Sequence, residues 1–256
     1  MHTAHAALER FGYEVRSTFP QAAPSRAPEH AVYAVVNAVS DAPTQLATAH
    51  TPDALAYVKR LLDAIFDTHN TAAREVLAVR ATDALRLSKA PREGGGGAAA
   101  SQGAAPAALT MRQAEELLAT LVDEGWLAKS RAGFYSVAPR GLLELRGYLE
   151  DTYNDADAEE GEWRRVKACA ACRDVVTVGL RCANRECNVR LHGFCVEGFF
   201  RGMRVRKCAC GTEWTGRDFV GERAARGYVP AGRTSMSAST SASRTLMGDD
   251  EEDEDE

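Results

Sequence analysis

All seven cysteines of this chain fall between positions 169 and 210, and the first 168 residues have none. With one histidine they read Cys169-x2-Cys172, nine residues, Cys182-x4-Cys187, four residues, His192-x2-Cys195, twelve residues, Cys208-x1-Cys210. An odd number of thiols suits a closed disulfide framework badly, and Cys-x-x-Cys with an interposed His points to metal. Eight soft or borderline donors make two tetrahedral sets, for which two structural zinc ions per chain are the expected occupants. The segment has few apolar side chains, so coordination has to provide most of its folding free energy, about 10 kcal/mol per structural site.

Two pairings are open. Consecutive pairing puts Cys169, Cys172, Cys182 and Cys187 on one zinc. A cross-brace assigns Cys169, Cys172, His192 and Cys195 to the first and Cys182, Cys187, Cys208 and Cys210 to the second. The cross-brace is preferred, because about 40 residues without a large core gain rigidity only if each ion ties distant parts of the chain together. Closed Cys/His sites leave no position for water, so the ions are expected to be structural and no catalytic residue is assigned.

The rest of the chain reads as α+β and multidomain, with five expected segments. In residues 1–89, Tyr13, Val15, Ser17 and Phe19 alternate, and Val32 to Asn37 is a second β-rich run. Leu55, Val58, Leu61, Leu62, Ile65 and Phe66 then repeat at helical spacing behind Thr51 and Pro52, and Asn70 is placed to cap a further helix through about Leu87. A strand pair with two helices suits a winged-helix half-domain, although other small α+β folds share that periodicity. Residues 90–108 contain four consecutive glycines and almost nothing to bury, the mark of a linker. Residues 109–160 restart the pattern: a capping box from Thr110 to Gln113, an apolar stripe through Val122, a stop at Gly125, a hairpin around Arg131 to Gly133, and a last helix lined by Leu142, Leu145, Tyr148 and Leu149. That order suits a second winged helix. Residues 166–220 hold the metal ligands, and 221–256 form a Ser/Thr-rich, acidic and disordered tail.

The net charge is −5, yet Asp249 to Glu256 are eight consecutive acids, which leaves +3 for everything before them. Hydrophobic residues make up 45% and charged ones 26%, which excludes collagen-like, coiled-coil-only and wholly disordered chains. No stretch approaches the roughly 20 consecutive apolar residues of a membrane span. Winged helices invite a DNA reading, but the 111–124 helix carries Glu115, Glu116, Asp123 and Glu124 against Arg112, a face that phosphate repels. Lys129 and Arg131 at the hairpin tip are the available phosphate contacts, so protein docking is the expected job of these domains, with Trp126 and Phe134 as either the docking anchors or the wing's own core.

The run CAACRDVVTVGLRCANRECNVRLHGFCVEGFF followed by KCACGTEW resembles the variant RING (C4HC3) domain of the non-SMC element one family. The likeness rests on Cys187-x-x-Arg190-x-His192-x-x-Cys195, on Phe199 and Phe200, and on Trp214 four residues after the last cysteine. Upstream, VYAVVNAVSD, EELLATLVDEGWL and FYSVAPRGLLELRGYLEDTY resemble the family's tandem winged helices. The resemblance implies a RING-type ubiquitin ligase subunit of the SMC five/six complex acting in DNA repair and recombination, nuclear and chromosome-associated. Its implied partners are a MAGE-type winged-helix subunit, a kleisin, a ubiquitin-conjugating enzyme and, through the complex, non-specific DNA, with no membrane. The family usually has a further N-terminal helical segment, so the first winged helix is expected to be incomplete in this sequence. Ligase-active RINGs present an apolar residue before the second ligand and a cation after the eighth, whereas here those places hold Ala171 and Gly211. A histone-reading PHD finger shares the ligand order, but its usual aromatic before the seventh ligand is replaced by Arg206.

Overall fold

The computed structural model describes residues 7–37, 49–89, 108–159 and 161–227. The expected linker, apart from Ala108, and residues 228–256 of the expected tail lie outside them; residues 221–227 of that tail are ordered, with a 3-10 turn at Glu222–Ala224, against the expectation of disorder from 221. Strands β1 (Tyr13–Thr18) and β2 (Val32–Asn37) pair antiparallel with Tyr13 opposite Asn37. The alternating face that carries Tyr13, Tyr33 and Val35 points outward, at 40, 50 and 57% exposure, while Val36 on the opposite face is buried. Alternation identifies the two faces of a ribbon but not the side on which the rest of the protein lies.

Helix α1 (Pro52–Asp63) begins where the Thr51 hydroxyl accepts from the Ala54 amide, and Tyr57, Leu61 and Leu62 on its stripe are buried. It continues through one π-helical turn, Ala64–Thr68, which sinks Ile65 and Phe66 completely. The expected helix from Asn70 does not form. Asn70 lies in β3 (Asn70–Thr71), which pairs with β4 (Arg74–Glu75), and its buried amide donates to the carbonyls of Phe66 and Arg165. Val76, Leu77, Ala78 and Val79 are all buried, and a short run buried all round has no helical stripe to read. Only α2 (Ala81–Arg86) is helical, entered from β5 (Val79–Arg80).

After the linker, α3 (Met111–Asp123) starts with the expected capping box, Thr110 accepting from the Gln113 amide while Gln113 accepts from the Thr110 amide. It stops at Gly125, whose φ of 80° suits a residue without a β-carbon. The hairpin β6 (Leu127–Lys129) and β7 (Phe134–Val137) follows, then α4 (Pro139–Glu144) and α5 (Arg146–Tyr153). β1 and β2 pack on α4.

β5 pairs with β7, so a strand from before the linker completes the sheet of the hairpin after it, in the order β5-β7-β6. A glycine-rich linker and a metal-held segment imply separate cores. Instead, one apolar cluster runs from Tyr57 through Leu118, Leu121 and Leu149 to Leu191, Trp214 and Val220 in the cysteine-rich region. Trp126 and Phe134 are 6 and 3% exposed, so they belong to the interior rather than to a docking face. The cysteine-rich region is built on β8 (Gly179–Arg181), β9 (Arg190–Leu191) and β10 (Phe219–Val220) in the order β10-β8-β9, with one helical turn, α6 (Val196–Phe199). No described helix is long and apolar enough to cross a membrane.

Candidate metal centre

Two sets of four side chains converge in this region. The ligand atoms of Cys169, Cys172, His192 and Cys195 all lie within 4.8 Å of one another, as do those of Cys182, Cys187, Cys208 and Cys210. This is the interleaved arrangement; consecutive pairing is not what the backbone builds. Thiolates about 2.3 Å from a tetrahedral centre sit roughly 3.8 Å apart. In the second set Cys182 and Cys210 sulfurs are 3.6 Å apart, and so are those of Cys187 and Cys208.

Each knuckle is held by main chain. The Cys169 amide donates to Asp174 O, the Arg173 amide to Cys169 O, and Ala170 N reaches across to Arg190 O. Arg173 takes a φ of 68° to close that turn. β8 and β9 carry Cys182 and His192 on opposing ends, and they approach so closely that a β-carbon at Gly179 would stand 2.3 Å from Leu191 O. The shortened Cys208-Ala209-Cys210 knuckle closes by Cys208 N donating to Thr212 O and Gly211 N to Cys208 O. Gly211 has a φ of 84°, so the turn itself calls for glycine where ligase-active RINGs carry a cation.

His192 presents Nδ1 to the cluster, 3.3 Å from Cys172 Sγ, and its Nε2 lies 3.3 Å from the Val175 carbonyl. A metal-bound imidazole uses one nitrogen and commonly donates from the other to such an oxygen. The ring is 2% exposed and stacks on Phe194. Crowded sulfurs cannot all ionise without a cation among them. Hydrogen bonds from Cys172 and His192 pull the Cys169 thiol down to about 3, while the same Cys169 contact and burial push Cys172 upward. Burial raises Cys182 and takes Cys195 to about 11. Cys210, the exposed member, is lowered to about 6 by its hydrogen bonds with Thr212. A divalent ion removes this conflict by binding thiolates directly.

Sequence reasoning missed what joins this region to the helical body. Glu75 on β4, 1% exposed, faces three buried cations from the cysteine-rich part. Arg190 grips both its oxygens, with Nε to Oε2 at 2.6 Å; Lys167 is 3.1 Å and Arg181 3.3 Å from Oε1, and Trp163 donates to the same oxygen at 3.2 Å. Burial pushes the Glu75 carboxyl upward, but Arg190 foremost, then Lys167 and Arg181, overcome it and leave it at about 2. Burial pulls Lys167 down to about 7. The available signals were an acid set immediately before a fully apolar run, and an arginine inside the ligand motif. A second link is Gln21, in the loop between β1 and β2. Its Oε1 accepts from the Thr177 and Val178 amides at 2.8 and 2.7 Å, and its Nε2 donates to Val175 O at 2.7 Å.

Of the other residues singled out in the sequence, Phe200 and Trp214 are buried and face each other at 5.3 Å, with Phe199 half-buried at their edge. Arg201, Arg204, Arg206 and Lys207 are exposed, and Arg206 pairs with Glu197. Ala171 is exposed beside the first cluster. Glu115, Glu116 and Asp123 line the outer side of α3.

Comparison with known proteins adds to this geometry. Residues 1–145 match the family model described as Nse1 non-SMC component of SMC5-6 complex, and residues 169–210 match a RING-like domain. The non-structural maintenance of chromosomes element 1 homologs of Xenopus laevis and Homo sapiens are 26 and 24% identical over 183 and 184 residues, which cover 71 and 72% of this chain. The match covers 56 and 58% of those relatives, so the chain spans little more than half their length. A solved structure titled Nse1-Nse3-Nse4 complex contains a chain of the same fold, with a TM-score of 0.60 at 20% identity, over 84% of this chain and 77% of that one. With a family model covering more than half of its residues and a RING-like segment where its eight donors converge, this chain belongs to the Nse1 family.

Proposed function

We propose that this chain is the RING-type ubiquitin ligase subunit of an SMC5-6 complex, serving DNA repair and recombination on nuclear chromosomes. The observation that carries the reading is the interleaved pair of four-donor clusters in a member of the Nse1 family. Zinc is the ion this donor set favours: seven thiolates and an imidazole, tetrahedral spacing, and a backbone carbonyl behind the histidine. Cys169, Cys172, His192 and Cys195 would hold one ion and Cys182, Cys187, Cys208 and Cys210 the other. Bound there, zinc supplies folding free energy and no chemistry, since every coordination position is filled by protein.

Residues 1–89 and 109–160 serve as tandem winged helices that dock a MAGE-type subunit and a kleisin, a reading supported by a structural relative titled as a complex of Nse1 with Nse3 and Nse4. The acidic outer side of α3 argues against its reading DNA bases. In transfer, a RING positions a ubiquitin-charged conjugating enzyme so that its thioester meets the attacking amine in a favourable orientation. Half-buried Phe199 and exposed Ala171 are the apolar contacts on offer. Gly211 offers no cation, so the grip is weak and the activity depends on the partner.

The test is autoubiquitination with a panel of conjugating enzymes, with and without the MAGE-type partner. Faint activity alone that rises clearly with partner supports the reading. Absence of chains with every enzyme in the full partner complex replaces it with a non-catalytic scaffold, the alternative that Gly211 and Ala171 favour.

A further inference from the structure

A pocket of about 240 Å³ opens between the β3–β4 hairpin, the start of the second metal knuckle and β10, and its lining is one-sided: Arg74, Arg181, Arg185, Arg217 and Arg223 against Asp218 alone. Arg181 forms its floor at 6% exposure. Its guanidinium pairs with Glu75, 3.3 Å away and already shared with Arg190 and Lys167, donates to the carbonyls of Ala72 and Arg185, and feels Asp218 as the nearby acid of the pocket. Among the described residues, Arg74, Arg185, Arg217 and Arg223 enter no ion pair; Arg223 lies over the Phe219 ring instead, at 3.6 Å. A concave site lined by five arginines, above a buried cluster with more cations than anions, suits carboxylates or phosphates.

We propose that this pocket binds the acidic run Asp249 to Glu256 of the same chain. Three observations select that occupant. Eight consecutive acids are the densest negative charge in the sequence, complementary to a pocket lined by five arginines. Arg223 and Ala224 line the pocket, and the described chain leaves from Gly227, so the acidic run is tethered at the pocket's own rim. The 21 residues between Gly227 and Asp249 give, for a flexible chain of that length, an r.m.s. span of about 25 Å, enough to reach the pocket at millimolar effective concentration. The run then neutralises the arginines and shields them from other polyanions. Asp and Glu side chains can satisfy several forks in turn, so the contact is an exchanging one, held by charge and weakened by salt.

The test uses a fluorescent synthetic peptide of residues 245–256 as probe, followed by anisotropy at low salt. It is titrated into the full chain, the chain lacking 249–256, and that shortened chain with Arg217→Glu and Arg223→Glu. The expected result is binding to the shortened chain, roughly ten-fold or more weaker binding to the full chain because its own run competes, a comparable loss in the double variant, and weakening as salt rises. Circular dichroism checks folding of the variant; if it is misfolded, the neutral pair Arg217→Gln and Arg223→Gln replaces it. Equal binding to full and shortened chains, no binding to the shortened chain, or undiminished binding by the folded variant overturns the proposal. So does a shortened chain that takes a DNA duplex through these arginines but ignores the peptide, which would make the pocket a phosphate site.

Discussion

The helical body and the cysteine-rich region use opposite means to stay folded. From α1 to α5 the interior is hydrocarbon and aromatic: Tyr57, Leu61, Ile65, Phe66, Leu118, Leu121 and Leu149 are each at most 1% exposed. Burying such side chains contributes about 1.5–3 kcal/mol each, which needs no cofactor and tolerates a wide pH range. In the cysteine-rich region the most buried groups include Arg190, His192, Cys169 and Cys182, and charge and donor chemistry replace oil. The first kind of interior degrades gradually; the second depends on a few partners being present together. The two meet at Glu75, where an acid of the body pairs with three cations of the other region.

That contrast is most severely tested by metal removal. Chelation should abolish the order of residues 169–210, a loss on the order of 10 kcal/mol per site, while much of the helical circular dichroism persists. Native mass spectrometry before and after should lose the mass of two zinc ions. Retention of folded cysteine-rich signals without metal would erase the distinction.

Next in size is Glu75→Gln. Removing one partner of a buried ion cluster leaves uncompensated charge, so the variant should lose about 3–5 kcal/mol in denaturant unfolding, more than an ordinary core truncation. The same carboxyl sets a pH dependence. Its folded value, about 2, lies below its ordinary value of 4.5, so its contribution is complete above the ordinary value and disappears as pH falls from there through the folded one. Wild type and variant should therefore converge in stability as acid is added. A constant gap across that window would show that Glu75 acts by packing alone.

The smallest expected effect is at the cap of α3. Thr110→Ala removes the hydroxyl that accepts from the Gln113 amide, leaving the backbone half of the capping box, and should cost about 1 kcal/mol, with metal content unchanged. Loss of metal from this variant would mean that the two regions are energetically less distinct than their interiors suggest.

Much of this was legible beforehand, for identifiable reasons. The eight donors and their interleaving could be read because ligand spacing is local and the chemistry admits few alternatives. The cap at Thr110 and the stop at Gly125 were readable for the same reason. Asn70 to Val79 was not: a segment buried on every side carries no periodicity, and Asn70 saturates carbonyls of Phe66 and Arg165 instead of capping a helix. Nor could the sequence place Gln21 against Thr177 and Val178, more than 150 residues away, because a lone polar side chain in a proline-rich loop has no pattern. The outward turn of Tyr33 and Val35 follows from how the β1–β2 ribbon docks on α4, a tertiary decision.

The strand exchange between β5 and β7, with the apolar cluster that continues into the cysteine-rich region, also determines reach. Two modules on a flexible leash let the distal one sweep a wide volume and meet whatever enters it. Here the distal module is bolted to the proximal one by sheet, hydrocarbon and a buried ion cluster, so its play shrinks to that of packed side chains. The chain is a bracket: the outer faces of its helical body and its RING-like region keep one bearing and one offset to each other.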